Sequence, residues 1–234
     1  MITTVMFDLD GTLLPFEQED FVRIYFSELC RKLAPFGYEP DHTVKAIWAG
    51  TKAMIENDGG CENSVRFWET FRALNVGRID AKRKCDVFYL HEFDRTKVVL
   101  KYIPDHKPTI ERLKAAGLRV VLATNPIFPL NGVKTRLAWV GLSADDFELV
   151  THYDNSTYCK PNPEYYGEIL WKLGEKPENC LMVGNSIPED MQAAAKAGLN
   201  VFLVPEFMEN PDGADCSIYN QGTVEQAVDL VIGG

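Results

Sequence analysis

The chain opens with a short apolar run, Ile2 to Phe7, that stops at Asp8. An apolar run of this length, ended by a charged residue, predicts a buried strand. From residue 17 to about 100 the pattern changes to helical spacing. Phe21, Ile24, Tyr25, Leu29 and Leu33 fall on one stripe. Further helices are predicted near 41–57, 64–74 and 80–93. The breaks between them are Pro35-Phe36-Gly37, Asp58-Gly59-Gly60 and Asn75-Val76-Gly77.

From about residue 104 the pattern alternates. A helix near 105–116 ends at Gly117, and an apolar strand, Leu118 to Ala123, runs up to Thr124-Asn125. A helix near 129–140, a short strand near 147–151 and a helix near 162–173 follow. Cys180 to Val183 is the next strand and ends at Gly184-Asn185. A helix near 188–197, a last clear strand at Val201 to Val204 and a terminal helix near 223–232 complete the series. Near-continuously apolar strands, alternating with helices, predict a parallel sheet covered on both faces. The expected fold class is therefore α/β, a doubly wound parallel sheet with an inserted helical cap. The core is expected at 1–14 and 100–234 and the cap at 15–99. An insertion just after the first strand hangs over the edge where open α/β sheets hold their ligands.

Composition narrows the function classes. The 234 residues carry 24 Lys and Arg against 34 Asp and Glu, a formal charge of −10. That excess of acid argues against partnership with nucleic acid or an anionic membrane surface. No apolar run reaches the ~18 residues that span a bilayer. The six cysteines form no Cys-x-x-Cys pair, and the four histidines have no zinc spacing. Reduced thiols in a cytoplasmic protein are expected.

The strand ends carry the chemistry. Asp8-Leu9-Asp10-Gly11-Thr12, Thr124-Asn125, Lys160-Pro161 and Gly184-Asn185-Ser186, with Glu189 and Asp190 beyond, all belong on one sheet edge. Converging carboxylates call for a cation, and hard oxygen donors without His or Cys favour Mg²⁺. Such a cation, a Lys and backbone N–H groups together suit a phosphoryl group. A carboxylate held beside it is placed to attack phosphorus, and a second, two residues on, to serve as acid and base.

These four motifs, in this order, resemble those of the haloacid dehalogenase superfamily in its phosphatase branch, and the insertion resembles that family's C1-type helical cap. The resemblance implies Asp8 as nucleophile and Asp10 as general acid and base. It implies Thr124, Asn125 and Lys160 as phosphate-binding residues and Asp8, Asp10, Asn185 and Asp190 as the Mg²⁺ site. Asn185 departs from the pattern, because the family often carries Asp directly after that Gly. The implied activity is hydrolysis of a small phosphorylated metabolite through an aspartyl-phosphate. A phosphomutase using the same intermediate, or a low-turnover regulatory protein on the same fold, remains an alternative at this stage. Phe16, Glu17, Gln18 and Arg23 are candidates to face substrate, whereas Tyr25, Trp48 and Trp68 read as packing within the helical bundle. Spacing fixes no substrate-contact role for any cap residue, and the oligomeric state is open.

Overall fold

The computed structural model describes residues 1–78 and 80–233. Six parallel strands form one sheet in the order β3-β2-β1-β4-β5-β6. They are β1 (Thr4–Phe7), β2 (Arg119–Leu122), β3 (Leu149–Val150), β4 (Cys180–Gly184), β5 (Asn200–Leu203) and β6 (Asn220–Gln221). The first strand lies in the middle, and the order reverses there, which opens a crevice beyond the carboxyl ends of β1 and its neighbours.

Both faces of the sheet are buried at its centre, which is why β1, β2 and β4 are apolar over most of their length. Val5, Phe7, Val120, Leu122, Leu181 and Val183 belong to one core cluster. Met6, Val121, Cys180 and Met182 point the other way into a second cluster with Tyr165, Tyr166 and Ile169. On the first face lie α5 (Lys107–Ala115), α6 (Leu130–Trp139) and α9 (Val224–Gly233). On the second lie α7 (Glu164–Leu173) and α8 (Ala193–Lys196).

Between β1 and α5 the chain forms α1 (Gln18–Leu33), α2 (Pro40–Ile55), α3 (Asn63–Leu74) and α4 (Ala81–His91), then a 3-10 segment, Phe93–Val99. Their apolar stripes share the first core cluster, where Phe21, Tyr25, Phe88 and Phe93 meet at centroid distances of 5.9 to 6.3 Å. Phe128, from the loop after β2, packs into the same aromatic group at 5.4 Å from Tyr25. The cap and core boundaries at 15–99 and 100–234 remain a proposal, and the final position, 234, lies outside the described residues.

Three details differ from the sequence pattern. The helix expected at 188–197 is a π-helical turn, Ile187–Gln192, running into the short α8. The strand expected at 147–151 keeps ladder pairing only at Leu149 and Val150. The sheet also gains β6, an exposed polar pair at the edge that carries no apolar signal. All six cysteines are free thiols, and no helix among the described residues is long and apolar enough to cross a membrane.

Candidate active site

Strand register assembles the site. Phe7 pairs with Leu122 on one side and Val183 on the other. Asp8 is therefore level with Ala123 and Gly184, and Thr124 and Asn185 lie one residue beyond. Beyond β1 the chain turns tightly, with the N–H groups of Leu13 and Leu14 both donating to the Leu9 carbonyl. Gly11 occupies this turn at φ +78°, and a Cβ there would meet Asn185 Nδ2 at 2.2 Å. Glycine is thus needed for its backbone conformation and for close approach.

Lys160 is the hinge of the polar cluster. It is fully buried, and its ammonium donates to Asp8 Oδ1 at 2.9 Å and to Asp190 Oδ1 at 2.6 Å. Burial would favour the neutral amine, but Asp190 and Asp8 outweigh it and hold Lys160 well above the ordinary lysine range. Burial pushes Asp190 up, against the pull of Lys160. Asp190 Oδ2 accepts the Ser186 N–H at 3.0 Å, so both of its oxygens are engaged. Gly184 makes this possible, since a Cβ there would lie 2.2 Å from Asp190 Oδ2.

Asp10 has a partner that the sequence reading missed. Arg136 of α6 is fully buried and donates to Asp10 Oδ2 at 2.5 Å. Its guanidinium lies 4.3 Å from the Phe128 ring centroid. Burial raises Asp10, Arg136 pulls it down and Asp8 adds to the rise. The available signal was register. Val133, Arg136, Leu137 and Val140 share one helical face, and an Arg in that company is placed for the core.

The other expected residues are all at this edge. Thr124 is buried, and its carbonyl accepts the hydroxyls of Thr151 at 2.7 Å and Tyr165 at 2.9 Å. Asn125 donates to the Lys160 carbonyl at 3.3 Å and to both Glu189 oxygens at 3.1 Å. Its side chain thus ties three segments together. Glu189 is pushed up to about 8 by burial, with Lys160 opposing and Asp190 and Asp8 adding. Asn185 accepts the Thr12 hydroxyl at 3.1 Å and donates to the Phe207 carbonyl at 2.6 Å.

Glu209 is a second residue that the sequence did not disclose. Its N–H donates to the Asn185 carbonyl at 3.0 Å, and its own carbonyl accepts the Ile187 N–H at 2.8 Å. Its carboxyl is raised by burial and then by the nearby charges of Asp8 and Asp10. It lines the same cavity as Asp8, Asp10, Asn185 and Asp190.

Among the described residues, no three His, Cys, Asp or Glu side chains are spaced to hold a metal by themselves. An ion here needs mixed oxygen donors, and the edge provides them. Asp10 Oδ1 is buried with no hydrogen-bond partner. Asn185 Oδ1 accepts the Thr12 hydroxyl and is a further neutral oxygen donor at this edge. Asp8, Asp10, Asp190 and Glu209 outnumber Lys160 and Arg136, so the edge carries uncompensated negative charge. A small, hard divalent cation fits this donor set.

The architecture has counterparts among known proteins. A family model described as haloacid dehalogenase-like hydrolase matches residues 2–198. The chain belongs to that hydrolase family. Among the curated relatives it resembles, several are named as phosphatases. The protein is 28% identical over 199 residues to the phosphoglycolate phosphatase of Aquifex aeolicus, covering 85% of this chain and 83% of that one. It is 27% identical over 204 residues to the glyceraldehyde 3-phosphate phosphatase of Methanopyrus kandleri, covering 85% and 82%. The 2-haloacid dehalogenase of Pseudomonas syringae has the same fold, with a TM-score of 0.64 at 20% identity, covering 99% and 98%.

Proposed function

We propose that the protein is a Mg²⁺-dependent phosphomonoesterase that acts on a small phosphorylated metabolite by way of an aspartyl-phosphate on Asp8. The observation that carries this reading is the placement of Asp8 at the end of the central strand, held by Lys160 at 2.9 Å and flanked by Asp10 and Thr124.

In the first step an Asp8 carboxylate oxygen attacks phosphorus. The bond from phosphorus to the ester oxygen breaks, and Asp10 delivers a proton to the departing alcohol. In the second step Asp10 takes a proton from water, the water oxygen bonds to phosphorus, and the acyl-phosphate bond to Asp8 breaks. Inorganic phosphate leaves and both carboxyls return to their starting states. Arg136 orients Asp10 through both steps, and Thr124, Asn125 and Lys160 form the phosphate-binding side. Asp8, Asp10, Asn185 and Asp190, with Glu209 adding charge nearby, would hold a Mg²⁺ that would supply neutralising charge to the phosphoryl oxygens.

The test is phosphate release from a panel of phosphomonoesters by the purified protein, with and without Mg²⁺. Release that needs Mg²⁺ and is lost in Asp8→Asn is expected. An Asp8→Asn variant that turns over at the native rate overturns the reading.

A further inference from the structure

The cavity above Asp8 encloses about 310 Å³. That is roughly ten water molecules' share of liquid volume, at about 30 Å³ each. Its floor is the polar strand edge. Its upper walls are aromatic and aliphatic, with Phe21, Tyr25, Phe67, Trp68, Phe71 and Tyr89 among them. Tyr25 and Trp68, and Trp48 with them, therefore line the cavity as well as packing the bundle. Among the described residues, no Lys, Arg or His lines it. The two cations of the site are spent on its carboxylates, Lys160 on Asp8 and Asp190 and Arg136 on Asp10. Three tyrosines line the wall, and the hydroxyls of two of them, Tyr25 and Tyr89, satisfy each other at 2.8 Å; Tyr153 is the third.

This lining discriminates among leaving groups. A second anionic group, a carboxylate or another phosphate, would enter beside acids with no counter-charge in the wall. A sugar would exchange water for aromatic rings over most of the wall, where Gln18, Thr51 and the Trp68 indole N–H are among the few groups that could meet its hydroxyls. A hydrocarbon group gains by leaving water and by contact with the rings.

We propose that the substrate is the phosphate monoester of an uncharged, mainly apolar alcohol, aromatic or branched aliphatic, whose hydrocarbon part fills the space between the strand edge and α1, α2 and α3. The proposal rests on the phosphomonoesterase reading and deepens it. It also separates this chain from relatives named for phosphoglycolate and glyceraldehyde 3-phosphate.

The experiment compares kcat/KM for benzyl phosphate, 2-phosphoglycolate and glycerol 3-phosphate, all esters of primary alcohols. A preference for benzyl phosphate of about tenfold or more is expected. Equal or better turnover of 2-phosphoglycolate overturns the proposal. Thr51 of α2 faces the cavity, and Thr51→Lys gives the wall the cation it lacks. That variant shifts the preference toward 2-phosphoglycolate by a similar factor; Gln18→Lys, at the start of α1, serves the same purpose if Thr51→Lys does not fold. An unchanged preference in a folded variant counts against the proposal. Fluorescence titration of the cavity tryptophans in Asp8→Asn keeps the two ideas apart. Tighter binding of benzyl phosphate there supports the apolar cavity even if no variant turns over, whereas tighter binding of 2-phosphoglycolate rejects it.

Discussion

Arg136 occupies a helix position whose neighbours in register, Val133, Leu137 and Val140, are all core residues. Its Nη1 bonds Asp10, while Nε and Nη2 are buried without partners. The face of Phe128 covers the rest of the group. A buried ion pair of this kind offers little net stability, yet removing one member leaves a buried charge uncompensated. Arg136→Leu is therefore expected to cost about 3–5 kcal/mol in urea unfolding. Adding Asp10→Asn removes the stranded charge, and the double variant recovers part of that loss. A double-mutant cycle measures the coupling, expected at about 1–3 kcal/mol for residues in contact. Strict additivity would show that Arg136 does not hold Asp10. Asp8, Asp10, Thr124 and Lys160 were legible because each ends a strand or stands in a motif. Arg136 and Glu209 were not singled out, because each reaches the site from a segment whose local pattern points elsewhere.

At the level of elements, strong periodicity translated directly into structure. The stripe of α1 and the continuous apolar runs of β1, β2 and β4 appear as predicted, because each buries enough apolar surface to settle its own conformation. The weak elements depend on their surroundings. β6 has two exposed residues and exists because β5 offers its edge. The π-helical turn at Ile187–Gln192 brings Asp190 back over Gly184, where the Ser186 N–H and Lys160 receive it. Nothing in the spacing of apolar residues marks that extra width. Gly184→Ala puts a methyl group at 2.5 Å from Asp190 Cβ. Overpacking of this kind is expected to cost about 1–3 kcal/mol. It also displaces Asp190 from Lys160, so turnover falls by more than the stability loss alone explains. Thermal unfolding and kcat measured on the same sample check both parts; native kcat with a normal melting temperature would refute the account.

On the scale of the whole molecule, the sheet edge that holds the site has a counterpart at the opposite end, where the strands begin. There Glu175, in the connection from α7 to β4, joins segments far apart in sequence. It accepts the Lys176 N–H at 2.9 Å, the Asn179 amide at 3.2 Å and the hydroxyls of Thr3 at 3.0 Å and Thr4 at 3.3 Å. Arg119, which opens β2, adds an ion pair at 3.4 Å. The Lys176 N–H and the Asn179 amide lead in holding this carboxyl down, to about 2 from an ordinary 4.5. Because the folded pKa is the lower one, the unfolded chain takes up the proton first as pH falls. The stability supplied by Glu175 is thus complete above pH 4.5 and drains away as the pH approaches 2. Glu175→Gln cannot titrate and supports the same donors less well. It is expected to lie about 1–2 kcal/mol below the native protein at neutral pH. The gap should stay constant down to about pH 5 and then close toward pH 2, because only the native protein loses this contribution. Urea unfolding of both proteins across that range decides the matter. A gap that holds at low pH would mean that the residue packs the strand starts together without its charge, and a gap that widens would reverse the sign of the linkage.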